Sequence, residues 1–199
     1  MNYLAHAYLS FNHPEILTGN LISDFVKGKR KFECPLLIQK GIELHRAIDE
    51  FTDKHDVTKR AKLLFKSAYG LYSGAFIDIV YDYFLANDPK EFPGNELADF
   101  ADKTYLELKP FAKFFPEKFH QVFYYMQLHN WLYNYQFKEA IQRSFRGLVH
   151  RAAYLSDSTA ANTIFENNLD ELQKYYDEFF PSLKQFAFQK FDQLLNATE

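Results

Sequence analysis

His45 and Asp49 stand four residues apart in GIELHRAIDEFTD, residues 41–53. On a helix turning ~100° per residue, that spacing stacks an imidazole over a carboxylate on one face, with Asp53 a further turn along at its edge. Leu44, Ile48 and Phe51 form the adjoining apolar stripe, so the polar row runs along the border of a core, where a cleft can open. Imidazole beside carboxylate is the donor set of a general base or of a divalent-metal site. It is also the donor set of a plain surface pair, which contributes only about 0.2–0.5 kcal/mol at i,i+4.

A second stretch is harder to read as surface. Residues 75–86, AFIDIVYDYFLA, carry only two charges, Asp78 and Asp82, again four apart. The rest of the segment is apolar nearly all round, which argues for burial. Like charges on one helix face repel, and burying both is costly unless a cation, a metal or a proton neutralises them. Two further segments repeat the pattern. His6 lies among apolar neighbours in MNYLAHAYLSF, and Asn20 and Asp24 lie four apart in TGNLISDFVKG. Four helices would thus each turn Asp or His inward. Such ligands suit Mn²⁺ or Mg²⁺, and the lack of cysteine ligands argues against structural zinc.

The elements that must position these groups are helices. Pro14, Pro35, Pro89, Pro93, Pro110, Pro116 and Pro181 punctuate segments of helical periodicity, and Pro14, Pro35, Pro116 and Pro181 each suit a first helical turn. The pattern predicts helices over 2–12, 14–27, 35–54, 57–69, 72–87, 95–109, 116–134, 137–153, 160–180 and 182–195, with Asp157 or Ser158 as a cap near the C-terminus. Sustained period-two alternation is absent, so the fold class is all-α: one domain over 1–199, a bundle of about eight to ten helices. The 22 Phe and 14 Tyr among 199 residues supply bulk to fill the space between them.

Charge and cysteine usage narrow the class. A net charge of −3 and a pI near 6.2 argue against a general nucleic-acid binder. The local run Lys27, Lys29, Arg30 and Lys31 is either a docking patch for an acidic partner or a solvated loop. Cys34 is the single cysteine, so no internal disulfide forms, which fits a reducing compartment. No basic n-region precedes the first apolar residues and no uncharged run approaches a membrane span, so the expectation is a soluble cytoplasmic protein with no membrane partner.

Taken in order, NYLAH at 2–6, GNLISDFVKG at 19–28, GIELHRAIDEFTD at 41–53, FIDIVYDYFLA at 76–86, NWLYNY at 130–135 and GLVHR at 147–151 resemble the bacterial acyl carrier protein phosphodiesterase family. LHRAIDEFTD is the most specific of these. The resemblance implies a cytoplasmic, helical, metal-dependent enzyme, distantly akin to the HD phosphohydrolases. Such an enzyme removes 4′-phosphopantetheine from holo acyl carrier protein by cutting its phosphodiester link to serine. It further implies that His6, Asp24, His45, Asp49, Asp78 and Asp82 are the metal ligands or base, with Mn²⁺ first and Mg²⁺ second as the ion. Asp24, His45, Arg46 and Asp49 are then the catalytic candidates. Arg46 either clamps phosphate oxygens or pairs with Glu50, and Asp53 either orients a ligand histidine or ends the helix. The acidic substrate would dock on the Lys27–Lys31 run, or on Arg143, Arg146 and Arg151. Two departures stand out. Tyr83 follows the second aspartate where the family often has histidine, and NDP occupies 87–89 where relatives tend to have an aromatic. The competing readings are an HD-like hydrolase of a nucleotide or other small phosphate ester, and a non-enzymatic helical binding protein. Trp131, Tyr133 and Tyr135 read as core, or as the aromatic wall of a pantetheine channel.

Overall fold

A computed structural model describes residues 1–196, and among them every regular element is helical. The order is α1 (Tyr3–Tyr8), α2 (Pro14–Ile22), 3-10 turns at Ser23–Phe25 and Gly28–Glu33, α3 (Leu36–Lys54), α4 (Asp56–Tyr69) and α5 (Ser73–Ala86). There follow α6 (Glu96–Leu108), α7 (Glu117–Leu128), α8 (Trp131–Asn134), α9 (Lys138–Arg151), α10 (Thr159–Asn167) and α11 (Leu169–Asn196). The all-α expectation holds. No helix among the described residues is long and apolar enough to cross a membrane.

Several boundaries differ from the periodicity, each for a local reason. The segment expected as one helix over 14–27 leaves α-geometry at Ile22 and tightens into 3-10 turns, with Gly28 at φ +59°. The segment expected over 116–134 breaks at Asn130, whose φ of +42° is left-handed and starts the short α8. Pro181 does not open a helix. It lies inside the 28-residue α11, on an exposed position, so the carbonyl it leaves unbonded on Asp177 also faces water. Phe179, Phe180, Leu183 and Ala187 are fully or almost fully buried on the opposite side and hold the helix continuous across the proline. The break falls instead at Asn168, between α10 and α11. Ser158 holds the N-cap position of α10 without a side-chain bond, and Asp157 just before it accepts from the Thr159 N–H at 3.0 Å.

The core is a contiguous aliphatic and aromatic cluster. Phe76 stacks against Phe65 at 5.6 Å between centroids and meets Phe145 at 5.3 Å, joining α4, α5 and α9. Tyr81 stacks on Phe179 at 5.0 Å and joins α5 to α11. Such ring pairs add about 0.5–1.5 kcal/mol each beyond their buried area.

The contact that matters most for the site is the crossing of α2 and α3. A Cβ built on Gly19 would lie 2.0 Å from the Ile38 carbonyl oxygen, and one on Gly41 would lie 2.3 Å from the Ile16 oxygen. Two glycines therefore let the two backbones touch. That contact sets Asn20, the next residue on α2, against His45, one turn beyond Gly41 on α3.

Candidate metal centre

His6 from α1 and His45 and Asp49 from α3 converge. One donor atom from each lies within 4.8 Å of the others. A first-row cation with bonds of ~2.1 Å sets its ligand atoms ~3–4 Å apart, so the spacing suits one ion. The two imidazoles stack at 4.0 Å between centroids, and both are almost wholly buried.

Asn20 sets both rings. Its side-chain Oδ1 accepts from His6 Nδ1 at 2.8 Å, and its backbone carbonyl accepts from His45 Nδ1 at 2.7 Å. The amide orientation is fixed because its Nδ2 donates to the His6 carbonyl at 2.9 Å and to Ser10 Oγ at 3.0 Å. Both Nδ1 atoms are thereby donors, and both Nε2 atoms turn toward the same point. This is the arrangement in which an outer group locks a ligand histidine's tautomer. His6 Nε2 is buried and has no hydrogen-bond partner, although Asp49 Oδ1 lies 3.2 Å away out of alignment. A buried, unprotonated nitrogen facing a carboxylate is what a bound cation would satisfy. The residues present therefore fit a divalent metal.

His45 Nε2 lies 3.1 Å from Asp49 Oδ2 and 3.2 Å from Asp24 Oδ1. Asp24 stands on the 3-10 turn that follows α2, mostly exposed, at the mouth of the cavity. Burial and the neighbouring His45 push His6 down to about 4, so this ring is neutral near pH 7. Burial opposes protonation of His45 too, but hydrogen bonds to Asp24 and Asp49 override it and raise it to about 9. The His45 hydrogen bond in turn holds Asp24 below its ordinary value. Burial works against ionisation of Asp49, yet His6, the Met1 ammonium and His45 hold it well below the carboxylate range.

Asp78 reaches the cluster indirectly. The Met1 ammonium lies 3.1 Å from Asp78 Oδ1 and 3.3 Å from Asp49 Oδ1, bridging the two carboxylates. Burial raises Asp78 against the pull of that ammonium. Asp82 requires a correction: it does not face the cluster. Its Oδ2 accepts from the Leu4 N–H at 2.7 Å and its Oδ1 from the Ala5 N–H at 3.2 Å. It thus anchors the six-residue α1, whose own N-cap Asn2 supplies no side-chain bond. Burial lifts the Asp82 carboxyl to about 7, against those two N–H groups. The sequence signal of a buried Asp pair was sound, but two backbone donors balance one of them.

Arg46 is exposed, with Nη2 at 3.5 Å from the Val26 carbonyl, and lines neither cavity described below; Glu50 pairs with Lys54 instead. Asp53 pairs with Lys62 at 2.6 Å and does not touch a ligand histidine. Tyr83 packs edge-on against Phe165 at 5.2 Å, within an aromatic wall. The Lys27–Lys31 run forms the exposed 3-10 turn that follows Asp24, with Lys31 held to Glu43 at 3.3 Å.

One cavity reaches this centre and a second adjoins it. The first, of about 290 Å³, is lined by His6, His45, Asn20 and Asp24. The second, of about 590 Å³, runs along α9. Asn2, Tyr3, Trp131 and Arg151 line both, so Trp131, half-buried against the core, is also a wall residue. Asn20 and Arg151 are the residues that sequence reasoning undervalued. Asn20 was visible only as a polar neighbour of Asp24, and Arg151 only as one of three arginines on α9.

Comparison with known proteins agrees with the geometry. The family model described as acyl carrier protein phosphodiesterase matches residues 1–183. The acyl carrier protein phosphodiesterase of Photorhabdus laumondii is 29% identical, covering 94% of this chain and 95% of the relative. That of Yersinia pestis is 29% identical over 94% and 97%, and that of an Escherichia coli O6:H1 strain 26% over 96% and 99%. No solved structure matches the chain. With the match running from α1 into α11 and covering all four helices that meet at the His/Asp centre, this chain belongs to the acyl carrier protein phosphodiesterase family.

Proposed function

We propose that this protein hydrolyses the phosphodiester linking 4′-phosphopantetheine to the serine of holo acyl carrier protein, with a divalent cation, Mn²⁺ before Mg²⁺, held by His6, His45 and Asp49. The observation that carries this reading is the shared anchoring of two buried histidines by Asn20, which leaves both Nε2 atoms and Asp49 facing one point. Oxygen and imidazole donors without thiolate favour Mn²⁺ or Mg²⁺ over structural zinc. A cation bound there supplies charge neutralisation for the phosphate and lowers the pKa of the attacking water.

The chain's own groups do the rest. His6, kept neutral by burial, binds without proton loss. Asp24, ionised and open to the cavity mouth, accepts the proton of the attacking water as general base. Water adds to phosphorus, the bond from phosphorus to the serine oxygen breaks, and that oxygen takes up the proton released to Asp24, so the serine leaves as a hydroxyl on the apo carrier. Lys27, Lys29 and Arg30, exposed on the turn after Asp24, offer charge to an acidic carrier, which speeds encounter at low salt.

The test is mass spectrometry of holo carrier protein incubated with the purified protein and Mn²⁺. Loss of the arm's mass, abolished by EDTA and by Asp49→Ala, is expected. Hydrolysis of free nucleotides with the holo carrier left intact would instead identify a small-phosphate-ester hydrolase. A folded protein that binds no metal and converts neither substrate would be a binding protein.

A further inference from the structure

The larger cavity has no role in the account above, although it shares Asn2, Tyr3, Trp131 and Arg151 with the cavity at the metal centre. Its volume of about 590 Å³ falls in the ~300–1,000 Å³ range of sites that enclose a small organic ligand. Its wall along α9 is a single helical stripe: Arg143, Gly147 and Arg151 follow at four-residue spacing, with Ser144 beside them. Arg143 and Arg151 are eight residues apart, ~12 Å along the helix at ~1.5 Å per residue. Neither arginine makes a hydrogen bond or ion pair among the described residues. Gly147 leaves room for one of them. A Cβ there would lie 3.3 Å from Arg151 Nη1, so the missing side chain lets the guanidinium fold back over the cleft.

The opposite wall holds an unmet acceptor. Asn130 is fixed in a left-handed conformation, and its side-chain Oδ1 is buried with no hydrogen-bond partner. Trp131 follows it, and Leu128 precedes it by two residues, so the wall alternates polar and apolar groups.

We propose that this cleft holds the pantetheine arm of the substrate, and that Arg151, at the junction of the two cavities, grips the phosphate while the arm runs along α9 toward Arg143. This rests on the phosphodiesterase reading and extends it to the part of the substrate that leaves. The chemistry matches piece by piece. A guanidinium pairs with two phosphate oxygens at once. An amide N–H of the arm meets the free Asn130 oxygen, and the arm's gem-dimethyl carbon lies against Trp131. Arg151 contacts the reacting phosphate and is in this sense a catalytic residue, whereas Ser144 and Asn130 select for the arm.

Trp131 is the only tryptophan of the chain, and it lines both cavities, so its fluorescence reports on ligands directly. The experiment titrates 4′-phosphopantetheine, pantetheine and inorganic phosphate into the Mg²⁺-loaded protein. 4′-Phosphopantetheine is expected to shift Trp131 emission and to bind at least about tenfold tighter than either fragment, since hydrogen bonds to charged groups contribute ~1.5–3 kcal/mol. Arg151→Ala, at an exposed position, should abolish the advantage over pantetheine, with Arg151→Lys restoring only part of it. Ser144→Phe should weaken 4′-phosphopantetheine and pantetheine but leave phosphate unchanged. Holo carrier turnover is measured on the same samples. Conversion of holo carrier by the wild type, with no Trp131 response to the product or with Arg151→Ala and Ser144→Phe binding it as the wild type does, overturns the arm site and leaves the phosphodiesterase reading standing. Product binding with the expected variant pattern but no conversion of holo carrier overturns the reading instead.

Discussion

Replacing Asn20 by leucine tests the centre at its least replaceable point. The residue is wholly buried, and its side chain makes three hydrogen bonds: from His6 Nδ1 at 2.8 Å, to the His6 carbonyl at 2.9 Å and to Ser10 Oγ at 3.0 Å. Leucine has the same branched shape with slightly more bulk, so no cavity opens, but three buried hydrogen bonds are lost and His6 Nδ1 is left unpaired, while the His6 carbonyl and Ser10 Oγ keep their bond to each other at 2.8 Å. At about 1 kcal/mol net per bond, with more for groups left unpaired, the loss is about 2–4 kcal/mol. For a domain of this size that corresponds to a fall in Tm of about 4–16 °C. The fourth bond, from His45 Nδ1 to the Asn20 backbone carbonyl, survives. The two histidines should therefore separate in behaviour. His45 keeps its tautomer, while His6 becomes free to carry its proton on Nε2 and to turn. Metal affinity should drop about 10–100-fold, the usual effect of losing an outer hydrogen-bond partner. Isothermal calorimetry with Mn²⁺ measures the affinity, and ¹⁵N-detected imidazole shifts of the metal-free protein report the tautomers. A folded Asn20→Leu protein that binds Mn²⁺ within twofold of wild type would refute the argument, because it would show that the orientation of His6 does not define the site.

Four further outcomes follow from the same geometry. His45 is protonated near pH 7 in the metal-free protein, so Mn²⁺ binding should release about one proton, and affinity should climb about tenfold per pH unit up to pH ~9; calorimetry in buffers of different ionisation enthalpy counts it. Because the folded value of about 9 lies above 6.5, His45 stabilises the metal-free fold fully below pH 6.5 and loses that contribution as pH rises through 9. That contribution is about 3 kcal/mol at 1.36 kcal/mol per pKa unit, and urea unfolding at pH 6.5 and 9 should show it in wild type but not in His45→Gln. Gly19→Ala or Gly41→Ala drives a methyl into a backbone carbonyl across the α2/α3 crossing and should cost about 3 kcal/mol or more; an unchanged Tm would refute the close approach. Tyr83→His, at a position enclosed by Phe84 and Phe165, should leave Mn²⁺ affinity within twofold by calorimetry, and a larger gain would mean that this position addresses the metal after all.

Periodicity and punctuation alone determined that the chain is helical, that Pro14 opens a helix, and that residues 41–55 present His45 and Asp49 on one face. These follow from local geometry, since residues four apart on a helix share a face whatever surrounds them. The same local rule misplaced the break at Pro181, because a proline on a solvent-facing position costs little when Phe179, Phe180 and Leu183 on the other side are buried. It could say that Asp78 and Asp82 needed neutralising, but not by what. Tertiary structure decided that: Asp82 meets the open N–H groups of α1, and Asp78 meets the Met1 ammonium. It also decided that Asn20 governs both histidines. That relation joins residues 14 and 25 positions apart, and it exists only because Gly19 and Gly41 let two helix backbones touch. A side chain's neighbours along the helix are written in the sequence, while its neighbours across a packing interface are set by how closely the helices approach.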